Sequence, residues 1–374
     1  MIRLAVITAL LIECSAAVAA AQTAATVSLD TVFYADNGEF FSPFRTGETI
    51  LGSWQRIAVD LDLGKPASLR LGLFALERDG SSRRSELARP VVSLTIGDHR
   101  QRFVIGTIET IEDGNRSLGP DLTTPHHLLP PLAVETLWFE RAYEAGAQWR
   151  IDTERLTQDV WFDYQKLVTA EHRELFDGGI VGQFQRSPTS PVAFLYQWHV
   201  VHHGGQQFHT GAVSDSFGYG PGLLIRRTLP LVGKGSFEAY ELFSYDRPDR
   251  QQPQLTTQGN ALFVRVTGEK RNWRGHLLGW QGHSFKHEAG DPNYLSEYPN
   301  GADAVGRRDY AEAGLTRRFR PTPTLDLEVS GRAHLVQAKW GYSYRVMAVV
   351  HVPLWTRDQL PPPPLPITDD TAGP

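Results

Sequence analysis

Residues 325–355 constrain the fold most. Leu325, Leu327, Val329, Gly331, Ala333 and Leu335 alternate with Asp326, Glu328, Ser330, Arg332 and His334. Further on, Tyr344, Val346, Ala348, Val350, Val352 and Leu354 alternate with Arg345, Met347, Val349 and His351, and the run closes on Trp355. A helix returns to one face about every 3.6 residues, a strand every second residue. The pattern therefore predicts strands with one apolar and one polar or mixed face. A wall that meets lipid on one side and water on the other needs that arrangement.

The N-terminus agrees with a chain that leaves the cytoplasm. Arg3 supplies a charged start and Leu4 to Ile12 an apolar core. Ala17-Val18-Ala19 or Ala19-Ala20-Ala21 offers a small-residue cleavage site, so residues 1–21 read as an export signal. Cys14, the only cysteine, leaves with it, and the mature chain has no disulfide. A lipoprotein reading of Leu11-Ile12-Glu13-Cys14 is disfavoured, because the residue before a lipidated cysteine is normally small. The formal charge of -5 argues against a nucleic-acid partner. No uncharged apolar run reaches the roughly 18 residues of a membrane-spanning helix. The mean hydropathy of -0.30 looks soluble, but polar side chains at every other position of a barrel hide its hydrophobicity from such an average.

Strands of about 10 residues and hairpins of about 20 or slightly more predict about 16 strands over residues 22–355, with 14 or 18 as alternatives. Counting back from Trp355, short turns fall on one side and long segments on the other. The short ones are near 320–323, 269–272, 234–235, 187–190, 98–100 and 64–66. The long ones are near 287–307, 247–257, 203–211, 169–178, 111–131, 79–86 and 35–49. One stretch strains the alternation. Trp149, Ile151 and Thr153 share one phase, Val160, Phe162 and Tyr164 the other. Reading 148–168 as one long strand with a bulge near Leu156 preserves parity, with Ala145-Gly146 as a short inner turn. Residues 356–374, with Pro361 to Pro364 in a row, read as a Pro-rich flexible periplasmic tail able to meet export partners.

In pattern, loop parity and terminal aromatic strand, the chain resembles Gram-negative outer-membrane β-barrels, general porins most of all. The resemblance implies an all-β, transmembrane, antiparallel up-and-down barrel in the outer membrane, touching lipid and lipopolysaccharide. It also implies that the third external loop folds into the lumen and narrows it. That loop carries Glu112, Asp113, Asp121, His126 and His127, the expected constriction. The chain departs from many family members in ending on Pro374 rather than on the aromatic residue of its last strand. Some barrels of this kind export polysaccharide, and Trp161, Trp198 and Trp280 are compatible with that use. Trp138, Tyr143, Trp149 and Tyr344 are expected near the membrane interfaces.

Inward-facing charges then become pore-lining candidates. These are Arg56, Asp60, Asp62, Arg70, Arg150, Asp152, Glu154, Asp326, Glu328 and Arg332, with His199 beside them. Opposed rows of fixed charge would select solutes by charge and dipole. His199 and His203 stand roughly 13 Å apart on one strand face, too far to share a metal ion. Paired carboxylates could serve a hydrolase, yet any barrel lumen carries them. Outer-membrane phospholipases and lipid A deacylases use a serine activated by a nearby histidine. His209 to Ser214 and His283-Ser284 are loose echoes without the close His-x-Ser spacing. The expectation is therefore a passive channel for a hydrophilic solute or carbohydrate polymer, not an enzyme, with no cofactor and no metal. A lipid-acting barrel enzyme and a plugged structural or adhesin barrel are the alternatives.

Overall fold

The computed structural model describes residues 24–64, 66–81, 87–108, 110, 124–205, 207–208, 210–230, 232–298 and 305–357. The expected export signal and the chain beyond residue 357 lie outside these residues. Sixteen strands close into one antiparallel barrel, each bonded to its neighbours in sequence and β1 to β16. The strands are β1 (Ala25–Phe40), β2 (Glu48–Asp62), β3 (Ala67–Arg78), β4 (Leu87–Gly97), β5 (Gln101–Thr107), β6 (Ala145–Asp152), β7 (Leu156–Lys166) and β8 (Glu174–Phe184). The second half is β9 (Val192–Gly204), β10 (Ser214–Leu229), β11 (Gly233–Arg247), β12 (Thr257–Lys270), β13 (Trp273–His283), β14 (Arg307–Thr322), β15 (Leu325–Val336) and β16 (Lys339–Arg357).

Closure pairs the backbone groups that lipid could not solvate. Leu73, Ile105, Leu262, Leu277, Leu315 and Val346 stand exposed on the outer face, and residues next to them on the same strands, such as Phe74, Val104, Phe263 and Leu278, point inward. In β16, Val27 faces Trp355 but Ser28 faces Pro353, so the proline sits at a bulge, where its missing N–H is tolerated. The inner turn after β4 needs Gly97, at φ 126°, because a Cβ there would meet the Gln101 carbonyl oxygen at 2.0 Å.

The strand count agrees with expectation, but two assignments within it do not. Residues 148–168 are not one bulged strand. β6 ends at Asp152, a turn at 153–155 follows, and β7 begins at Leu156. Ala145-Gly146 is not a turn but the start of β6, paired with Thr107 and Gly106 of β5. The change of phase seen in the sequence therefore marks a hairpin turn. Parity survives because β5 and β6 pair directly, so the chain between them adds no strand to the barrel wall. That segment, 108–144, is the third external loop.

The described part of this loop packs inside the barrel. A 3-10 turn (Pro125–His127) and one helical turn (Leu137–Glu140) are its described regular pieces. Leu128, Leu129, Leu132 and Ala133 pack with Leu195, Leu224, Leu242, Phe263 and Trp280 of the wall. Trp138 and Phe139 pack on the opposite side with Tyr34, Trp54 and Met347. Trp138 thus lies inside the barrel rather than at a membrane interface, and Trp161 and Trp280 are likewise buried rather than free to contact a passing polymer. Each large side chain removed from water in this way contributes about 1.5–3 kcal/mol. A second external loop, 284–306, adds Phe285, Tyr294 and Leu295 to the same core. The two loops are joined by backbone bonds from Val134 N–H to the Ala289 carbonyl (2.7 Å) and from Asp291 N–H to the Pro130 carbonyl (2.9 Å).

His126 fastens the loop. Its Nδ1 lies 2.9 Å from Asp159 and its Nε2 2.8 Å from Glu144, and its ring stacks on Trp161 at 4.0 Å. Burial alone would lower its pKa, but the Glu144 and Asp159 carboxylates override that and push it up to about 10. A histidine pKa raised on folding stabilises the docked loop fully below the unfolded value, near 6.5, and that contribution is lost as pH rises through about 10. Protease cleavage within 124–144 is therefore expected to rise between pH 7 and pH 10.5 in the native barrel. In a His126→Gln variant it should change little over that range. Equal pH dependence in both proteins would count against this role.

Candidate active site

The β15–β16 hairpin turns on two residues, Gln337 (φ 48°) and Ala338 (φ 62°). Both lie in the left-handed region that type I′ turns require and that asparagine or glycine usually fills. The turn is held by Gln337, whose N–H bonds the Asp309 carbonyl (3.1 Å) and whose side-chain amide bonds the Arg307 carbonyl (2.6 Å). So short a loop fixes the register, and a slip by one residue would exchange the lipid and lumen faces. In the register observed, His334 pairs with Gly341 and Arg332 with Ser343. On the other side of β15, His334 stands opposite Glu312 of β14. Glu312, His334 and Ser343 thus form an oblique line over three adjacent strands.

The side chains along that line are hydrogen-bonded. Ser343 Oγ lies 2.8 Å from His334 Nε2. His334 Nδ1 lies 2.8 Å from the Tyr310 hydroxyl and 3.4 Å from Glu312 Oε2. The Tyr310 hydroxyl donates to Glu312 Oε2. Glu312 also receives His276 Nε2 at 2.7 Å and lies 3.7 Å from Arg332 Nε. An ionised carboxylate only accepts, so the donors run toward Glu312: His334 Nδ1–H to Tyr310, Tyr310 O–H to Glu312. Nε2 is then left as an acceptor for the Ser343 proton. A base within reach of a hydroxyl and oriented from behind is the arrangement that activates a serine.

Two arginines flank this line. Arg332 bonds Glu135 of the third loop at 2.7 and 2.8 Å, and Arg345 bonds Glu135 at 2.9 Å and Asp36 at 2.6 Å. The loop that fills the lumen therefore also completes the site. The cavity beside Ser343, bounded by Phe40, Arg45, Asn293 and Arg332 among others, measures about 30 Å³. That is room for a water molecule but not for an acyl chain. The hairpin turn at 337–338 marks the external end of these strands, and Ser343 comes five residues after it, so the site lies in the outer half of the barrel.

The sequence-predicted residues occupy other places. Arg56 bonds Asp30 (2.8 Å), Arg70 bonds Asp60 (2.6 Å), Arg318 bonds Glu328 (3.0 Å) and Arg320 bonds Asp326 (2.6 Å). These charges are matched with near neighbours along the wall. Arg150 lies 4.0 Å from Asp159. Asp62 accepts the Gly64 N–H at the end of β2, and Asp152 closes β6. Glu154 is in the turn after β6, not on an inward strand face, because the strand stops two residues earlier. His199 bonds Asp177 (3.0 Å) and the Leu132 carbonyl (3.0 Å), which ties the wall to the loop. His126 and His127 are in the third loop as expected, while Glu112, Asp113 and Asp121 lie outside the described residues. His209 lies outside them too. No cluster of metal-ligating side chains occurs among the described residues. Arg332 alone of the predicted set belongs to the Ser343 site.

Comparison with solved structures finds similar barrels at very low identity. A loop-deleted OmpT, an outer-membrane protein of Vibrio cholerae, matches at TM-score 0.54 and 9% identity, over 88% of this chain and 99% of that one. An anion-selective porin from Comamonas acidovorans matches at TM-score 0.51 and 9% identity, over 88% and 100%. At such identity the likeness shows the fold: a Gram-negative outer-membrane barrel. No curated protein matches. The family described as "Lipid A 3'-O-deacylase-type" matches residues 18–352. That match overturns the expectation that the chain is not an enzyme. Ser343 and His334 meet across two strands, so no close His-x-Ser spacing marks them in the sequence.

Proposed function

The chain belongs to the lipid A 3'-O-deacylase-type family, and on that premise we propose that it hydrolyses an ester-linked acyl chain of a lipid A-class glycolipid, with Ser343 as nucleophile. The observation that carries this reading is the Ser343–His334–Tyr310–Glu312 chain, with 2.8 Å from hydroxyl to imidazole. His334 Nε2 takes the proton as Ser343 Oγ attacks the ester carbonyl carbon. It returns the proton to the sugar oxygen as the C–O bond breaks. Water, activated by the same imidazole, then attacks the acyl-serine, frees the fatty acid and restores the hydroxyl. Arg332, opposite Ser343 in the ladder, is the cation best placed to stabilise the oxyanion. The level of the site within the barrel supports the reading, since lipid A occupies the outer leaflet.

The test is direct. Purified protein is incubated with lipopolysaccharide in mixed micelles, and released fatty acid and the shortened lipid are measured by mass spectrometry. Release by the native chain and none by folded Ser343→Ala is the expected result. No release by either would remove the proposal and return weight to a channel.

A further inference from the structure

The Ser343 cavity does not stand alone. On its external side lies a larger cavity of about 320 Å³, walled by Arg45 and Thr46 of the loop after β1, by Glu48 at the start of β2, by Thr136 and Arg141 of the third loop, and by the segment around Glu288. Arg45 and Thr136 line both cavities. Arg45 reaches Asp291 at 2.5 Å and lies over the Phe40 ring at 4.6 Å. Phe40 in turn sits 5.0 Å from the His334 ring. Both partners of the ion pair are largely buried, at 16% and 8% side-chain exposure. Arg45, held by Asp291, and Thr136 thus form the partition between an outward-facing hollow and the catalytic serine.

We infer that the outer cavity is the subsite for the anionic, phosphate-bearing headgroup of the substrate, and that Arg45 is its specificity-determining contact. This rests on the hydrolase reading above. The 30 Å³ cavity cannot admit an acyl ester while Arg45 is bonded to Asp291. A phosphate in the outer cavity offers Arg45 a bidentate, doubly charged partner in place of one carboxylate. Its binding draws the guanidinium outward and removes the partition. The headgroup therefore opens the way to Ser343, and a lipid without the anion does not.

The experiment compares native protein, Arg45→Ala, Arg45→Lys and Ser343→Ala on three substrates: lipopolysaccharide, lipopolysaccharide stripped of phosphate, and p-nitrophenyl butyrate. Retained heat-modifiable migration establishes folding. Arg45→Ala is expected to raise KM for lipopolysaccharide about 10-fold or more and, with the partition gone, to speed cleavage of both the stripped lipid and the small neutral ester. Arg45→Lys should recover part of the KM loss. If Arg45→Ala behaves as the native protein on all three, the headgroup subsite is wrong although the hydrolase reading stands. If Ser343→Ala still cleaves them, the hydrolase reading fails, whatever Arg45 does.

Discussion

His334→Ala and Ser343→Ala should each lower deacylation by at least about 1,000-fold, and the double variant should be no worse than either single one. Residues that act as one unit lose the unit when any member goes. Without His334 no group holds the Ser343 proton, and without Ser343 the imidazole has no nucleophile to serve. Glu312→Gln should cost about 100-fold or more, because the amide can donate where the carboxylate only accepted. That reverses the donor chain through Tyr310 and places the proton on His334 Nε2, where it blocks acceptance from Ser343. Tyr310→Phe should act in the same direction but more weakly, since Glu312 still lies 3.4 Å from His334 Nδ1. The measurement is fatty-acid release from lipopolysaccharide by proteins whose folding is verified by heat-modifiable migration. A Ser343→Ala barrel that retains a tenth of native activity would exclude the serine mechanism.

Much of this was present in the sequence, but not joined. The alternation of 325–355 correctly gives the faces: His334 and Arg345 lie in the inward phase, as does Ser343, two residues before Arg345. The missing step was the register. Gln337-Ala338 is a poor left-handed turn by composition, and without it nothing in the sequence sets Ser343 diagonal to His334. Glu312 was further from view, since its pairing with His334 depends on the β14–β15 register. The third loop failed for a different reason. With a loop expected at 111–131 and a turn at 145–146, residues 132–144, which include Val134, Leu137, Trp138, Phe139 and Tyr143, are left to cross the wall. Their hydrophobicity serves a lumen core instead, and local pattern does not distinguish lipid from a protein interior. The strand total is the same either way, because taking the turn at 153–155 as a bulge removes one strand and taking 132–144 as a strand adds one.

Removing the third loop should turn a silent barrel into a conducting one. A 16-strand barrel is wide enough to hold an aqueous channel unless something fills it. Here Leu132, Trp138 and Phe139 fill it at 0–3% exposure. Beneath them a cavity of about 690 Å³, bounded by Arg102, Arg150, Gln183, Arg226 and Glu238, rises as far as His126 and Leu129. Among the described residues, the loop core and its partners lie between this inner hollow and the external side. The loop can be excised without breaking the ladder, because Thr107 already pairs with Ala145. A short turn joining Ile108 to Glu144 would leave β5 and β6 in register. The native chain in a planar bilayer is expected to show no conductance above background, and the loop-deleted barrel a stable one. The Trp138→Ser and Phe139→Ser pair, which leaves the loop attached, should give brief openings. Stable conductance by the native chain would mean that the core seen here does not close the lumen, and the channel reading would regain its place. The same deletion should abolish deacylation. It removes Glu135, which holds Arg332 and Arg345 beside Ser343, and leaves both guanidiniums to collapse onto Glu312 and Asp36. Conduction gained and hydrolysis lost in one variant is the outcome expected of a porin-sized barrel whose lumen has been given over to a catalytic core.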